Sequence, residues 1–212
     1  METINSLQQI VVATSNKHKL AELQTIGAQF GIQLLSPVEI QSLKKLPLPP
    51  EVDETANTFY GNALLKAEAF YRWCGVPALG DDSGLEVEAL DGAPGIHSAR
   101  YAGVGASDKE RIDKLLCELE KAISLNPTKT RRAQFRSVLV LVSSHSEPIS
   151  AEGILTGHIL QELRGTNGFG YDPIVWLDEI GATLAEVDFS VTCTKGFRAK
   201  GAHNLFSKLI IK

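Results

Sequence analysis

Within its first thirty residues the chain changes hydrophobic period, and this change narrows the possible folds more than any other feature. "QQIVVAT", residues 8–14, is a short apolar run of the kind that forms a buried strand. "KHKLAELQTIGAQF", residues 17–30, then places Leu20, Leu23, Ile26 or Gly27, and Phe30 at helical spacing, and Gly31 follows where a helix end favours glycine. A strand passing into a helix through the polar "TSN" opens an α/β arrangement.

The remaining chain continues in that manner. "SPVEIQSLKKLPLPPEVDET", residues 36–55, has four prolines and reads as a connector crossing the surface. A second helix is predicted over "NTFYGNALLKAEAFYRW", residues 57–73, stopped by Gly75 and Pro77. In "LEVEAL", Leu85, Val87 and Ala89 alternate with Glu86 and Glu88, as in a strand with one buried face. A glycine-rich loop over residues 91–106 precedes Ser107 and Glu110, a capping-box pair. The helix they announce carries Ile112, Leu115, Leu116, Leu119 and Ile123. Two strands follow over 131–144 and 148–160, then a glycine-rich turn into another strand over 164–176, then a C-terminal helix from 197. The order predicts a mixed α/β sheet flanked by helices rather than a cleanly doubly wound one. No boundary between independent domains is visible, so residues 1–212 read as one domain.

Composition removes several classes of function. A net charge of -4 gives no broad positive field, so electrostatic nucleic-acid binding is not expected. Any phosphate site must be made locally. Cys74, Cys117 and Cys193 have no paired spacing, which argues against a disulfide framework or a zinc site. The polar N-terminal start and short apolar run read as a first strand rather than a signal peptide, and no stretch suits a bilayer span. A cytoplasmic protein without membrane association is expected.

Four stretches have residues suited to chemistry. Thr14, Ser15 and Asn16 stand where a strand becomes a helix, with Lys17 and Lys19 behind them; they suit either helix capping or an anion at the helix N-terminus. Asn62 and Lys66 share one helix face, where the lysine either reaches water or neutralises phosphate. Asp81 and Asp82 point to opposite faces in a regular strand, and a break at Ser83-Gly84 would turn both to one site. Asp53 and Glu54 could join them around a hard cation such as Mg²⁺. In "GTNGFGYDP", residues 165–173, Phe169 and Tyr171 offer rings for a base to stack on, and Asp172 an acceptor for a ring N–H; a plain turn accounts for the glycines equally well. Arg198, Lys200 and His203 are weak signals singly.

Taken in order, "ATSNKHKLAEL", "ETANTFYGNALLKA", "GDDSGLEVEALDGAPGIHSARYAG" and "GTNGFGYDP" resemble the inosine triphosphate pyrophosphatase, or Ham1-like, family over nearly the whole chain. The resemblance implies a homodimeric α/β fold with a long mixed β-sheet and two lobes around a central cleft. It implies Mg²⁺-dependent hydrolysis of ITP, dITP and XTP to the monophosphate and pyrophosphate. On that resemblance Thr14, Ser15, Asn16 and Lys19 bind phosphate, Lys66 is a catalytic cation, and Ser83 contacts substrate. Asp82, with Asp81 beside it, is the water-activating carboxylate. Asp82 and Glu54, or Asp53 in its place, hold the metal. Phe169, Gly170, Tyr171, Asp172 and Arg198 meet the nucleotide.

The chain also departs from the family pattern. Gly61 stands where the family has glutamate, Phe197 where it has histidine, and Thr192 where it has lysine, with Lys195 nearby. These departures favour a relative with altered base choice as the nearest alternative. A nucleotide-binding regulator without hydrolysis is a further one.

Overall fold

The structure is a computed structural model that describes residues 9–144 and 146–210. The first eight residues, part of the predicted N-terminal lead into the sheet, lie outside it.

β1 (Gln9–Val12) buries Ile10, Val11 and Val12 completely. α1 (Lys17–Gln29) follows, with Asn16 as its N-cap and Gly31 in the left-handed region beyond its end. β2 (Gln33–Leu35) comes next. The proline-rich stretch then differs from expectation, because Pro37–Lys44 is a helix, α2. Ser36 caps the Glu39 N–H, Glu39 returns the bond to Ser36, and Pro37 occupies the first turn, where no N–H is needed. α3 (Phe59–Cys74) starts at Thr58 and stops at left-handed Gly75, close to the predicted bounds.

β3 (Ala78–Val87) is one unbroken strand of 10 residues, so no break at Ser83-Gly84 turns Asp81 and Asp82 to one site. α4 (Asp108–Leu125) begins with the predicted Ser107–Glu110 capping box. β4 (Arg132–Ser143), β5 (Ser146–Ile159), β6 (Val175–Leu177), α5 (Phe189–Lys195) and α6 (Phe197–Ile210) complete the fold.

The strands form a mixed sheet in the order β2-β1-β3-β4-β5-β6. β1 is parallel to β2 on one side and to β3 on the other, with Val11 opposite Leu35 and Ala78. β6 is antiparallel to β5. Since the β1-to-β2 and β2-to-β3 connections cross the sheet in opposite directions, right-handed crossovers put α1 on one sheet face and α2–α3 on the other. The point where the connections diverge, at the C-terminal ends of β1 and β3, is where open α/β sheets bind ligands.

The chain divides into two compact units. Among the described residues the first comprises 9–82, 137–144, 146–153 and 198–210. One part of its core joins Val11, Ala13, Leu35, Ile40, Phe70, Cys74 and Ala78. The second comprises residues 83–136 and 154–197. Its core packs Leu115 and Leu119 of α4 against Leu85, Val87, Phe135 and Leu155, each fully buried leucine contributing about 1.5–3 kcal/mol. No described helix is long and apolar enough to cross a membrane.

Candidate active site

The first unit gathers the charged residues. Asn16 closes the turn after β1: its Oδ1 accepts the His18 and Lys19 N–H groups at 2.9 and 3.2 Å, while its own N–H donates to Thr14 Oγ1 at 3.1 Å. The Asn16 side chain therefore caps the helix, leaving Ser15 exposed. One turn into α1, the Lys19 ammonium lies 3.1 Å from Asp81.

In an unbroken strand, Asp81 and Asp82 must face opposite ways, and their partners differ accordingly. Asp81, 1% exposed, is held from the α1 face. Besides Lys19, it accepts Arg198 Nε at 3.1 Å and Ser137 Oγ at 2.7 Å. Burial alone would raise its carboxyl, but Lys19 and Arg198 outweigh that and hold it well below the usual carboxylate range. Arg198, expected at the substrate, is interior and also donates to buried Glu22 at 2.7 Å.

Asp82 faces α3. Lys66 Nζ lies 3.0 Å from Asp82 Oδ1, and Asn62 Nδ2 donates to Oδ2 at 3.3 Å. The helix can approach because Gly80, on the same strand face, has no Cβ; one built there would lie 1.9 Å from the Ala63 carbonyl oxygen. Lys66 also donates to Glu54 Oε1 at 2.7 Å, so both expected metal carboxylates converge on a single point. Asp53 is exposed and makes no such approach. Burial pushes the Asp82 carboxyl upward and Glu54 adds to this, against the opposing pull of Lys66. The two adjacent carboxyls are thus shifted in opposite directions.

Asn62, fully buried, ties this corner together: its Oδ1 accepts the Ala56 N–H at 2.9 Å, two residues beyond Glu54. That closeness accounts for Gly61, since a Cβ there would lie 2.5 Å from the Ala56 Cβ.

Ion pairs separate the two clusters. Lys19 and Arg198 pair with Asp81 and Glu22, whereas Lys66 pairs with both Asp82 and Glu54. No group of three His, Cys, Asp or Glu side chains suited to a metal occurs among the described residues. Two convergent carboxylates nevertheless fit Mg²⁺, which usually takes one or two and completes its shell with water and phosphate oxygens.

The "GTNGFGYDP" segment and Ser83 belong to the second unit. Asp172 is buried, and its Oδ2 accepts the Phe169 N–H at 2.9 Å, closing its own loop. A Cβ on Gly168 would lie 2.2 Å from that oxygen. Tyr171 differs from the reading as a stacking ring. It lies in the core and its hydroxyl donates to the Ser98 carbonyl at 3.1 Å, so Phe169 is the half-buried ring of the segment. The Gly170 N–H donates to Asp108 Oδ2 at the start of α4, at 2.7 Å. Phe197 stacks on Phe135 at 4.8 Å and 16° inside the core; Thr192 is half-buried on α5 and Lys195 exposed.

Sequence reasoning missed Glu22, Ser137 and the loop-tying role of Asn62. Glu22 had a readable signal: it falls beside Leu23 and four residues before Ile26, on the core-facing stripe of α1, where an acid requires a buried partner. Ser137, within a run of apolar strand residues, had none that identified Asp81 as its partner.

The chain is similar to known proteins along most of its length. The model of the Ham1 family matches residues 10–208. A dITP/XTP pyrophosphatase of Vibrio parahaemolyticus is 40% identical over 205 residues, covering 96% of this chain and 97% of that protein. One from Geobacter sulfurreducens is 46% identical, covering 85% of this chain and 86% of its own. Among solved structures, a HAM1 protein from Coxiella burnetii superposes with a TM-score of 0.83 at 37% identity, covering 96% of this chain and 99% of its own. The Staphylococcus aureus Ham1 protein gives 0.79 at 35% identity, covering 95% and 98%. With the family model spanning nearly all of the chain and the fold shared with solved members, this protein belongs to the Ham1 family.

Proposed function

We propose that this protein is a nucleoside triphosphate pyrophosphatase that hydrolyses ITP, dITP and XTP to the monophosphate and pyrophosphate. The observation that carries the reading is the opposite environment of two adjacent carboxylates at the divergence point of β1 and β3, in a chain 40% identical to a dITP/XTP pyrophosphatase.

Carboxyls pushed apart in acidity take different roles. Asp81, ionised and bonded by three donors, keeps Lys19 and Arg198 in place and is a poor proton acceptor. Asp82, raised by burial, is the better acceptor for a proton from the water attacking the α-phosphorus. As oxygen from water bonds to that phosphorus, the bridging α–β P–O bond breaks and pyrophosphate leaves. Lys19, Thr14, Ser15, Asn16 and the N-terminus of α1 receive the departing phosphates. Lys66 offsets charge on the phosphate oxygens. Asp82 and Glu54 would hold Mg²⁺, which when bound supplies further charge stabilisation to the phosphate oxygens. Ser83 and the Phe169–Asp172 segment belong to the same proposal as contacts of the nucleotide, and Arg198, buried on Asp81 and Glu22, positions the site through Asp81. The homodimer comes from the resemblance, and light scattering tests it; the cytoplasmic location rests on the unpaired cysteine spacing.

A second reading, altered base choice, is favoured by Phe197, whose ring stacks in the core and brings no polar atom to a base. Hydrolysis in ¹⁸O-labelled water tests the reaction itself: label should enter the nucleoside monophosphate. Label in inorganic phosphate would mean attack at the γ-phosphorus and would refute the proposal.

A further inference from the structure

We propose that Lys66 is a displaceable counter-ion: a divalent cation must replace its ammonium on Asp82 and Glu54, and this exchange releases Lys66 to the nucleotide's phosphates. The inference rests on the reading of Asp82 and Glu54 as the metal carboxylates.

The geometry is specific to this lysine. One Nζ lies 2.7 Å from Glu54 and 3.0 Å from Asp82, touching an oxygen of each carboxylate that the metal would use. An ammonium and a divalent cation cannot share those oxygens without strong like-charge repulsion in a half-buried site. Lys19 and Arg198 pair with Asp81 instead.

The surroundings determine which partner moves. Asp82 is a residue of β3, and its second oxygen is held by Asn62, so it stays in place when Lys66 leaves. Asn62 also holds the Ala56 backbone and so restrains the loop that carries Glu54. Lys66 is held by these two carboxylates at the end of a flexible four-carbon stem. The carboxylates are fixed and the lysine is the movable part. Metal binding and lysine release therefore become one event. The metal prepares the phosphate site, and a nucleotide that then captures Lys66 holds the metal more firmly, a reciprocal coupling.

The test is titration of the full chain with Mn²⁺ alone, followed by electron paramagnetic resonance, without nucleotide. Lys66→Gln should bind Mn²⁺ at least about tenfold more tightly than the unaltered protein, because the competing cation is gone. Lys19→Gln should gain less. Equal gains in both variants, or none in Lys66→Gln, would overturn the inference. Asp82→Asn separates the two claims. If it abolishes Mn²⁺ binding while Lys66→Gln behaves like the unaltered protein, only the exchange fails. If it binds Mn²⁺ normally, the metal reading fails with it. A measurement without substitutions guards against misfolding: acetylation of Lys66, followed by mass spectrometry, should rise on adding Mn²⁺. Unchanged labelling would contradict the exchange.

Discussion

Asp81 and Asp82 are neighbours in one continuous strand yet face opposite sides of the sheet, Asp81 bonded to Lys19 and Arg198 and Asp82 to Lys66. Adjacent carboxylates that look interchangeable in the sequence thus have separate tasks, and their substitutions should fail differently. Asp81→Asn leaves buried Arg198 and half-buried Lys19 undercompensated, and loss of one partner of a buried pair costs about 3–5 kcal/mol. Asp82→Asn should keep most of the stability but lower kcat about 10²- to 10⁴-fold, the range of a lost general base. Urea melts beside turnover measurements check both; equal stability losses would contradict the division.

The same arrangement sets an acid limit. The native Asp81 carboxyl holds its proton less tightly than in the unfolded chain, so in acid the unfolded state binds more protons and gains. The stabilisation is complete above the ordinary value of 3.8 and is lost as pH falls below it toward the native value. Urea midpoints measured between pH 5 and pH 3 should fall in the unaltered protein. In Asp81→Asn the fall should be shallower, starting from a lower plateau.

Gly61 makes a sharper test of the Glu54 corner. A side chain there meets Ala56 and must displace the segment carrying Glu54. Gly61→Glu, although it restores the family's usual residue, should raise the Mg²⁺ concentration needed for half-maximal activity, with a smaller effect on saturated turnover. Unchanged Mg²⁺ dependence would show that the segment tolerates the displacement.

Asp108 bonds the Gly170 N–H and so steadies the loop assigned to the base. Asp108→Ala should raise KM roughly threefold to tenfold, the effect of one hydrogen bond of ordinary net strength, with kcat little changed. A fall in kcat at constant KM would place Asp108 in the chemistry instead.

Elements with strong local signals were legible from residues alone. α1, α3 and α4 follow apolar spacing and caps, whereas alternation marked only Leu85–Val87 of β3, which begins at Ala78 in a nearly continuous buried run, and Glu88–Leu90 is a 3-10 turn instead of strand. α2 was missed because its prolines suggested a connector, although Ser36-Pro37-Val38-Glu39 contains a complete capping box. For the site, the strand period already placed Asp81 and Asp82 on opposite faces, and only the supposed break at Ser83-Gly84 joined them. What could not be read was pairing across long separations. Arg198 meets Glu22 and Asp81, and Ser137 meets Asp81, because helix and strand packing brings them together, and no local pattern encodes that. Tyr171 misled for a related reason: a ring among glycines looks open until the Ser98 carbonyl is found beneath it.

The most direct measurement of the central claim is pyrophosphate release from ITP, dITP, XTP and the standard nucleotides, with Mg²⁺ and with EDTA, for the unaltered protein and Asp82→Asn. The account predicts Mg²⁺-dependent release from ITP, dITP and XTP that exceeds release from the standard nucleotides and falls at least about a hundredfold in the variant. Full activity in Asp82→Asn, or no pyrophosphate from any nucleotide, would contradict it.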